Sequence, residues 1–279
     1  MPAVEVAQLT TPLALYLLLA ELAAGGFATV AFLRFTGGLT RGFLKFIAVA
    51  YVAIAALGLL TVWAERPASY HSVLAIDTTA ASWLLGLQAL LLLALIVHTV
   101  MVWRSKEPRL TWGPGLLVSG LLLAAIAVTL TPLAGSLLEG VAIWLVVFVS
   151  ATVLGAATTG MLLGHWYLVT PALTNRPLLR SIVLLVAGLV LQAVALPFVL
   201  AGLARGSGSV SHALQISPTL SVLWGLGAVV LPLLAGILAI PTCRLRSFMS
   251  TTGLLYLAMI ALIPGQLIGL LLFFVAAAA

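Results

Sequence analysis

The chain has 279 residues, 63% of them hydrophobic and 6% charged, and its twelve Lys and Arg against six Asp and Glu leave a formal net charge of +6. With a mean hydropathy of +1.29, this composition excludes a large soluble domain, and the basic excess is that of a membrane collar rather than a nucleic-acid surface. The lone Cys243 excludes a disulfide framework, a C-x-x-C-H haem attachment and a thiolate set for an iron–sulfur cluster.

A helix needs about 20 apolar residues to cross a bilayer core. The apolar runs predict eight such helices, over 11–34, 42–64, 79–103, 112–133, 141–169, 178–203, 218–240 and 247–276. The fold class is therefore an all-α polytopic membrane protein, a single transmembrane domain over 1–279. The opening MPAVEVAQLT has an acid and no basic segment, and the first apolar run exceeds a signal-peptide core, so this run is expected to stay as a helix.

Charge orients the spans. Arg34, Arg41 and Lys45 flank the first connection, Arg104, Lys106 and Arg109 the third, Arg176 and Arg180 the fifth, and Arg244 and Arg246 the seventh. Only Arg66 and Arg205 fall on the other side. Short Lys- and Arg-rich loops stay cytoplasmic, which puts both termini outside, in the periplasm or the extracellular medium. Trp63, Trp83, Trp144 and Trp224 then fall near outer ends and Trp103, Trp112 and Trp166 near inner ends, as belt anchors.

Within the first span, Glu21 stands midway along ALYLLLAELAAGG. A carboxyl at that depth is protonated, paired or facing a wet cavity. It serves either as a proton acceptor or relay for quinol, or as a neutral acid bonded to a neighbouring helix. Tyr16 lies more than a turn outward, as a headgroup contact or a belt tyrosine. The loop after the second span is the densest polar segment, with Glu65, Arg66, Tyr70, His71 and Asp77. It is either a solvated loop or a quinone-headgroup site in which His and acid groups bond the carbonyls and carry protons. Glu139, Arg205 and His212 share that outer side.

His98 in the third span and His165 in the fifth lie at similar depth on helices of the same direction. Facing each other they would ligate a b-type haem; otherwise they are hydrogen-bonded between helices or line a proton path. Small residues in Ala23-Ala24-Gly25-Gly26 and at Gly155, Thr159, Gly160 and Gly164 mark close helix contacts. Pro197, Pro232 and Pro264 free carbonyls and kink the last three spans. Gln192 and Gln266 read as bonds between helices, and Cys243 as a small packing residue. Glu21 with the kinked spans also suits a proton-coupled transporter, although two halves that both begin outside lack the inverted symmetry usual in transporters.

Three segments carry a family resemblance: PLALYLLLAELAAGGFATVAFL, ERPASYHSVLAIDTTAASWLLGLQALL and FVSATVLGAATTGMLL. In the second, Arg66-Pro67, Tyr70-His71 and Ser82-Trp83 match a G-R-P turn, an aromatic and a Ser-Trp helix opening. The sequence thus resembles the NrfD/polysulfide-reductase family of membrane anchors, best over its first three spans. Three positions depart from the pattern: Trp63 stands near the place where many members carry an acid, Glu65 where the glycine is found, and Glu21 where a small residue is usual. The resemblance implies an eight-helix subunit of a respiratory oxidoreductase in the cell inner membrane. Such a subunit exchanges electrons between a menaquinone or ubiquinone and an extracytoplasmic iron–sulfur partner, often alongside a molybdopterin enzyme, and it carries no haem of its own. On that reading Glu21 and His71 handle protons, while Tyr16, Glu65, Arg66 and Asp77 line or support the quinone site.

Overall fold

The computed structural model describes residues 3–104, 109–203 and 218–278, with side chains for all of these except 196–203 and 218. Lys106, Arg205 and His212 lie outside the described residues, as does the side chain of Pro197. Helix α1 is Ala3–Phe35, α2 Arg41–Glu65, α3 Thr78–Arg104, α4 Arg109–Leu130, α5 Leu137–Val169 and α6 Arg176–Leu203. The seventh, α7, joins Pro218–Gly225, a π-helical turn Leu226–Val230 and Leu231–Arg244; α8 is Phe248–Ala278. Short 3-10 turns, Pro67–Ser72 and Thr131–Leu133, link α2 to α3 and α4 to α5. Among the described residues, eight helices are long and apolar enough to cross a membrane and no strand occurs. The chain is a multi-pass, all-helical membrane protein.

The helices close into two rings of four. In the first, α2 and α4 each pack against both α1 and α3; in the second, α6 packs on α5 and α7, and α8 on α7 and α5. The rings join where α1 meets α5 and α8, and where α4 meets α5. Helix α1 is therefore central, 83% buried over its apolar stretch against 28% for α3. Inside these helices Thr10, Thr29, Thr129 and Thr158 return their hydroxyl protons to the carbonyl four residues back, which makes them tolerable in an apolar span.

Gly25 and Gly155 set the closest approach. A Cβ on Gly25 would collide with the Ala151 carbonyl, and one on Gly155 with the Gly25 carbonyl group and the Gly26 nitrogen. Lipid tails are as apolar as leucine, so helix association here depends on such close packing. A second crossing brings Gly265 of α8 onto the Gly227–Ala228 backbone of α7. The π turn of α7 ends one residue before Leu231 and Pro232 resume the α-helix. That proline lacks an N–H and its ring would clash with the carbonyl of residue 228, so the wider turn accommodates it.

The described basic residues gather at one end of the bundle, apart from Arg66. Several of them tie connections together. Arg180 donates to the Thr36 carbonyl after α1, and Arg246 donates to the Pro171 and Leu173 carbonyls at 2.8 and 3.0 Å. Asn175 donates to the Cys243 carbonyl at 2.9 Å, with Cys243 itself buried. Cations at helix C-termini also complement the dipole. One belt expectation fails: Trp112 is buried, stacked on Phe27 with ring centres 5.3 Å apart, because α4 turns that face toward α1. Trp63, Trp83 and Trp103 are exposed, as belt residues are.

The α1–α5 contact gives a direct test. Gly155→Val is expected to lower thermal stability in detergent by about 3 kcal/mol, the upper range for overpacking a tight contact. Gly86→Ala, where an added Cβ meets nothing within 4 Å, is expected to raise it by about 0.5 kcal/mol through helix propensity. Equal melting of Gly155→Val and the parent protein would remove this contact from its structural role.

Candidate functional site

Glu21 lies one turn before Gly25 on α1, and residues four apart share a helix face. The face that crosses α5 therefore carries Glu21 into the junction of the two rings rather than toward lipid. Its carboxyl is buried and accepts a hydrogen bond from Ser150 Oγ of α5 at 2.7 Å. Ser150 Oγ also stands 3.4 Å from Gln266 Oε1 of α8. Gln266 Nε2 then donates to Gln192 Oε1 of α6 at 3.0 Å. One chain of four buried polar side chains thus crosses α1, α5, α8 and α6.

Ser150 owns a single hydroxyl proton and faces two acceptors, Glu21 Oε2 and Gln266 Oε1. If Glu21 carries a proton and donates it to Ser150, the serine hydroxyl is free for Gln266, and every link has a donor. An ionised carboxylate would place a charge in the apolar interior, at a cost of several kcal/mol.

A second polar group surrounds the Pro67–Ser72 turn. The Tyr70 hydroxyl donates to Glu65 Oε2 at 3.4 Å and lies against the Leu13 backbone. Burial, together with the neighbouring Glu65 carboxylate, pushes the Tyr70 phenol up to about 12. Arg66 is exposed and takes φ 40°, ψ 88°, the left-handed conformation that closes α2, with its N–H on the Val62 carbonyl. His71 is exposed and its Nδ1 bonds the Ala68 carbonyl at 3.0 Å. Asp77 is committed to the fold, since its Oδ1 accepts the Thr79 and Ala80 N–H groups at 2.8 and 3.0 Å and so caps α3. Its own N–H reaches the Thr129 carbonyl and ties the turn to α4.

Glu65, Arg66, His71 and Asp77 therefore belong to one end of the molecule, and Glu21 to its interior. Leu13, where Tyr70 rests, is about 12 Å along α1 from Glu21 at 1.5 Å per residue. Tyr16 lies between them, fully buried, with no hydrogen-bond partner for its hydroxyl. A buried orphan hydroxyl is costly and is the kind of group a ligand or water satisfies.

The two histidines are not brought together. His98 is buried, its Nδ1 2.8 Å from Thr111 Oγ1, with Phe27 and Trp112 rings edge-on at 5.1 and 4.2 Å. A cavity of about 10 Å³, room for one water, adjoins it beside Tyr51. His165 is exposed on the outer face of α5. This geometry does not fit an axial haem: one imidazole is boxed in by aromatic rings and the other faces outward. Among the described residues, no group of three or more His, Cys, Asp or Glu could hold a metal ion.

Reading the sequence missed Ser150 as the partner of Glu21 and the Tyr51–Thr159 hydrogen bond of 2.6 Å between α2 and α5. The available signal was a single serine in the apolar run VVFVSATVL, one turn from the small residues that cross α1. Gln192 and Gln266 do bond between helices, as their types suggested. The sequence matches no protein-family model and no curated protein.

Tyr70 offers a pH test with a defined sign. Its proton is held to about pH 12 in the folded protein and to about 10 in an ordinary tyrosine. Its contribution to stability is thus complete below pH 10 and lost as pH rises from 10 to 12. Tyr70→Phe is expected to remove that part of the alkaline unfolding transition, followed by tyrosinate absorbance. An unchanged alkaline transition in the variant would contradict the placement of this phenol against Glu65.

Proposed function

We propose that this chain is the quinone-handling membrane anchor of a respiratory oxidoreductase, of the NrfD/polysulfide-reductase type. The observation that carries the reading is the Glu21–Ser150–Gln266–Gln192 chain, a carboxyl held in the interior of the bundle among buried polar side chains. Quinol oxidation releases two electrons and two protons, and quinone reduction takes them up. A carboxyl that exchanges one proton within a fixed hydrogen-bonded frame suits that chemistry.

In this reading the headgroup is received at the end carrying Glu65, Arg66, Tyr70 and His71, where His71 is exposed. Tyr16 supplies an O–H donor between that end and Glu21. Asp77 supports the turn by capping α3. Electrons pass to or from an iron–sulfur partner, with a molybdopterin enzyme completing the complex. The basic end faces the cytoplasm, both termini lie outside, and the host is the cell inner membrane.

Glu21→Gln preserves size and can still bond Ser150, so the complex is expected to assemble with its partners. Quinol turnover of the purified complex is expected to fall roughly 100-fold, as for loss of a general acid–base group. Turnover equal to the parent complex would remove Glu21 from the mechanism. Solute uptake by vesicles containing this chain alone, with no redox partner copurifying from native membranes, would replace the anchor reading with transport.

A further inference from the structure

Among the described residues, no carboxylate pairs with the cations that open α2 at the basic end. Helix α2 opens with Arg41 and Lys45, one turn apart, with no acid in its first turn. Like charges at this spacing repel, and the helix dipole adds positive potential at the same end. Helix α3 ends beside them with Trp103 and Arg104. The Lys45 ammonium lies 4.7 Å from the centre of the Trp103 ring, and Arg41 Nη2 reaches the Trp103 carbonyl at 3.5 Å. A ring face and a carbonyl dipole hold these cations in place without neutralising them.

The surroundings specify what neutralises them. Trp103 is 54% exposed, an indole at the level where headgroups lie. Four residues along α2 from Lys45, on the same face, Val49 is exposed; three and seven residues back from Trp103, Val100 and Ile96 are exposed as well. An apolar slope thus runs from the cations toward the membrane interior between α2 and α3. We propose that this cluster binds one anionic phospholipid, its phosphate on Arg41 and Lys45, its headgroup beside Trp103 and an acyl chain along Val49, Val100 and Ile96. The proposal is independent of the redox reading.

The test is native mass spectrometry of the delipidated full chain in detergent, titrated with phosphatidylglycerol or with phosphatidylcholine of the same acyl chains. Phosphatidylglycerol is expected to bind at least roughly tenfold more tightly, with a preference that shrinks at high salt. Arg41→Gln and Lys45→Gln are each expected to weaken it roughly fivefold, while Lys45→Arg retains it and Arg244→Gln has no effect. Equal affinity for the two lipids, a preference insensitive to salt, or retention of the preference in the double glutamine variant would overturn the site. Saturation by inorganic phosphate at millimolar concentration, displacing the lipid, would overturn the lipid source in favour of a free-ion site. The salt dependence of the unaltered protein decides the matter even if the glutamine variants do not fold.

Discussion

The contact of α1 with α5 at Gly25 and Gly155 is the constraint on which the rest of the molecule depends. Backbone meets backbone there, with no room for a side chain on either helix. The contact joins the two four-helix rings and fixes the rotation of α1 about its axis. Because Glu21 shares the Gly25 face, that rotation turns the carboxyl onto Ser150 and not into lipid. The α7–α8 crossing at Gly227 and Gly265 then brings the adjacent residue, Gln266, to the same junction. Close packing in one place and polar chemistry in another are two consequences of a single helix orientation.

Charge is distributed by the same economy. Two carboxylates serve helix starts: Asp77 caps α3, and Glu139 in the first turn of α5 accepts the Gly135 N–H at 2.6 Å while Ser136 accepts the Glu139 N–H. The α5 start thus resembles a capping box, in which side chains satisfy donors that a helix start leaves open. Arg180, near the start of α6, and Arg246, in the connection after α7, bond the carbonyls of neighbouring connections. The basic residues gathered at one end of the bundle thus tie its helices to one another. Arg41 and Lys45 at the start of α2 bond no such connection; they hold to the end of α3, through the Trp103 ring and carbonyl.

The helices were legible in the sequence because hydropathy and length speak to spanning directly. The third span, expected over 79–103, is Thr78–Arg104. The first begins earlier than hydropathy suggested, at Ala3 and not 11, because polar residues such as Glu5 and Gln8 continue the helix beyond its apolar stretch. Pro232 was legible as an irregularity, and its form is a π turn. The site was legible only in part. Glu21 stood out because an acid in a span is rare, whereas its partner Ser150 did not, since serine is common in a helix of small residues. Depth along a helix was readable for His98 and His165, but direction around it was not. One faces α1 and α4 and the other faces outward, so equal depth did not make them a pair. Asp77 had the right type and neighbourhood for a quinone ligand, yet the start of α3 needed its carboxylate first.

The central claim is that Glu21 holds an exchangeable proton within its buried chain. Redox-induced infrared difference spectroscopy of the purified complex reads this directly, in the stretching region of protonated carboxyl groups. On quinone reduction and reoxidation, a protonated-carboxyl band is expected to shift or lose intensity. That band is expected to be absent from Glu21→Gln and moved in Ser150→Ala, where the first hydrogen-bond partner is gone. A carboxyl band that is identical in Glu21→Gln, or no carboxyl response to the redox state of the quinone, would contradict the account.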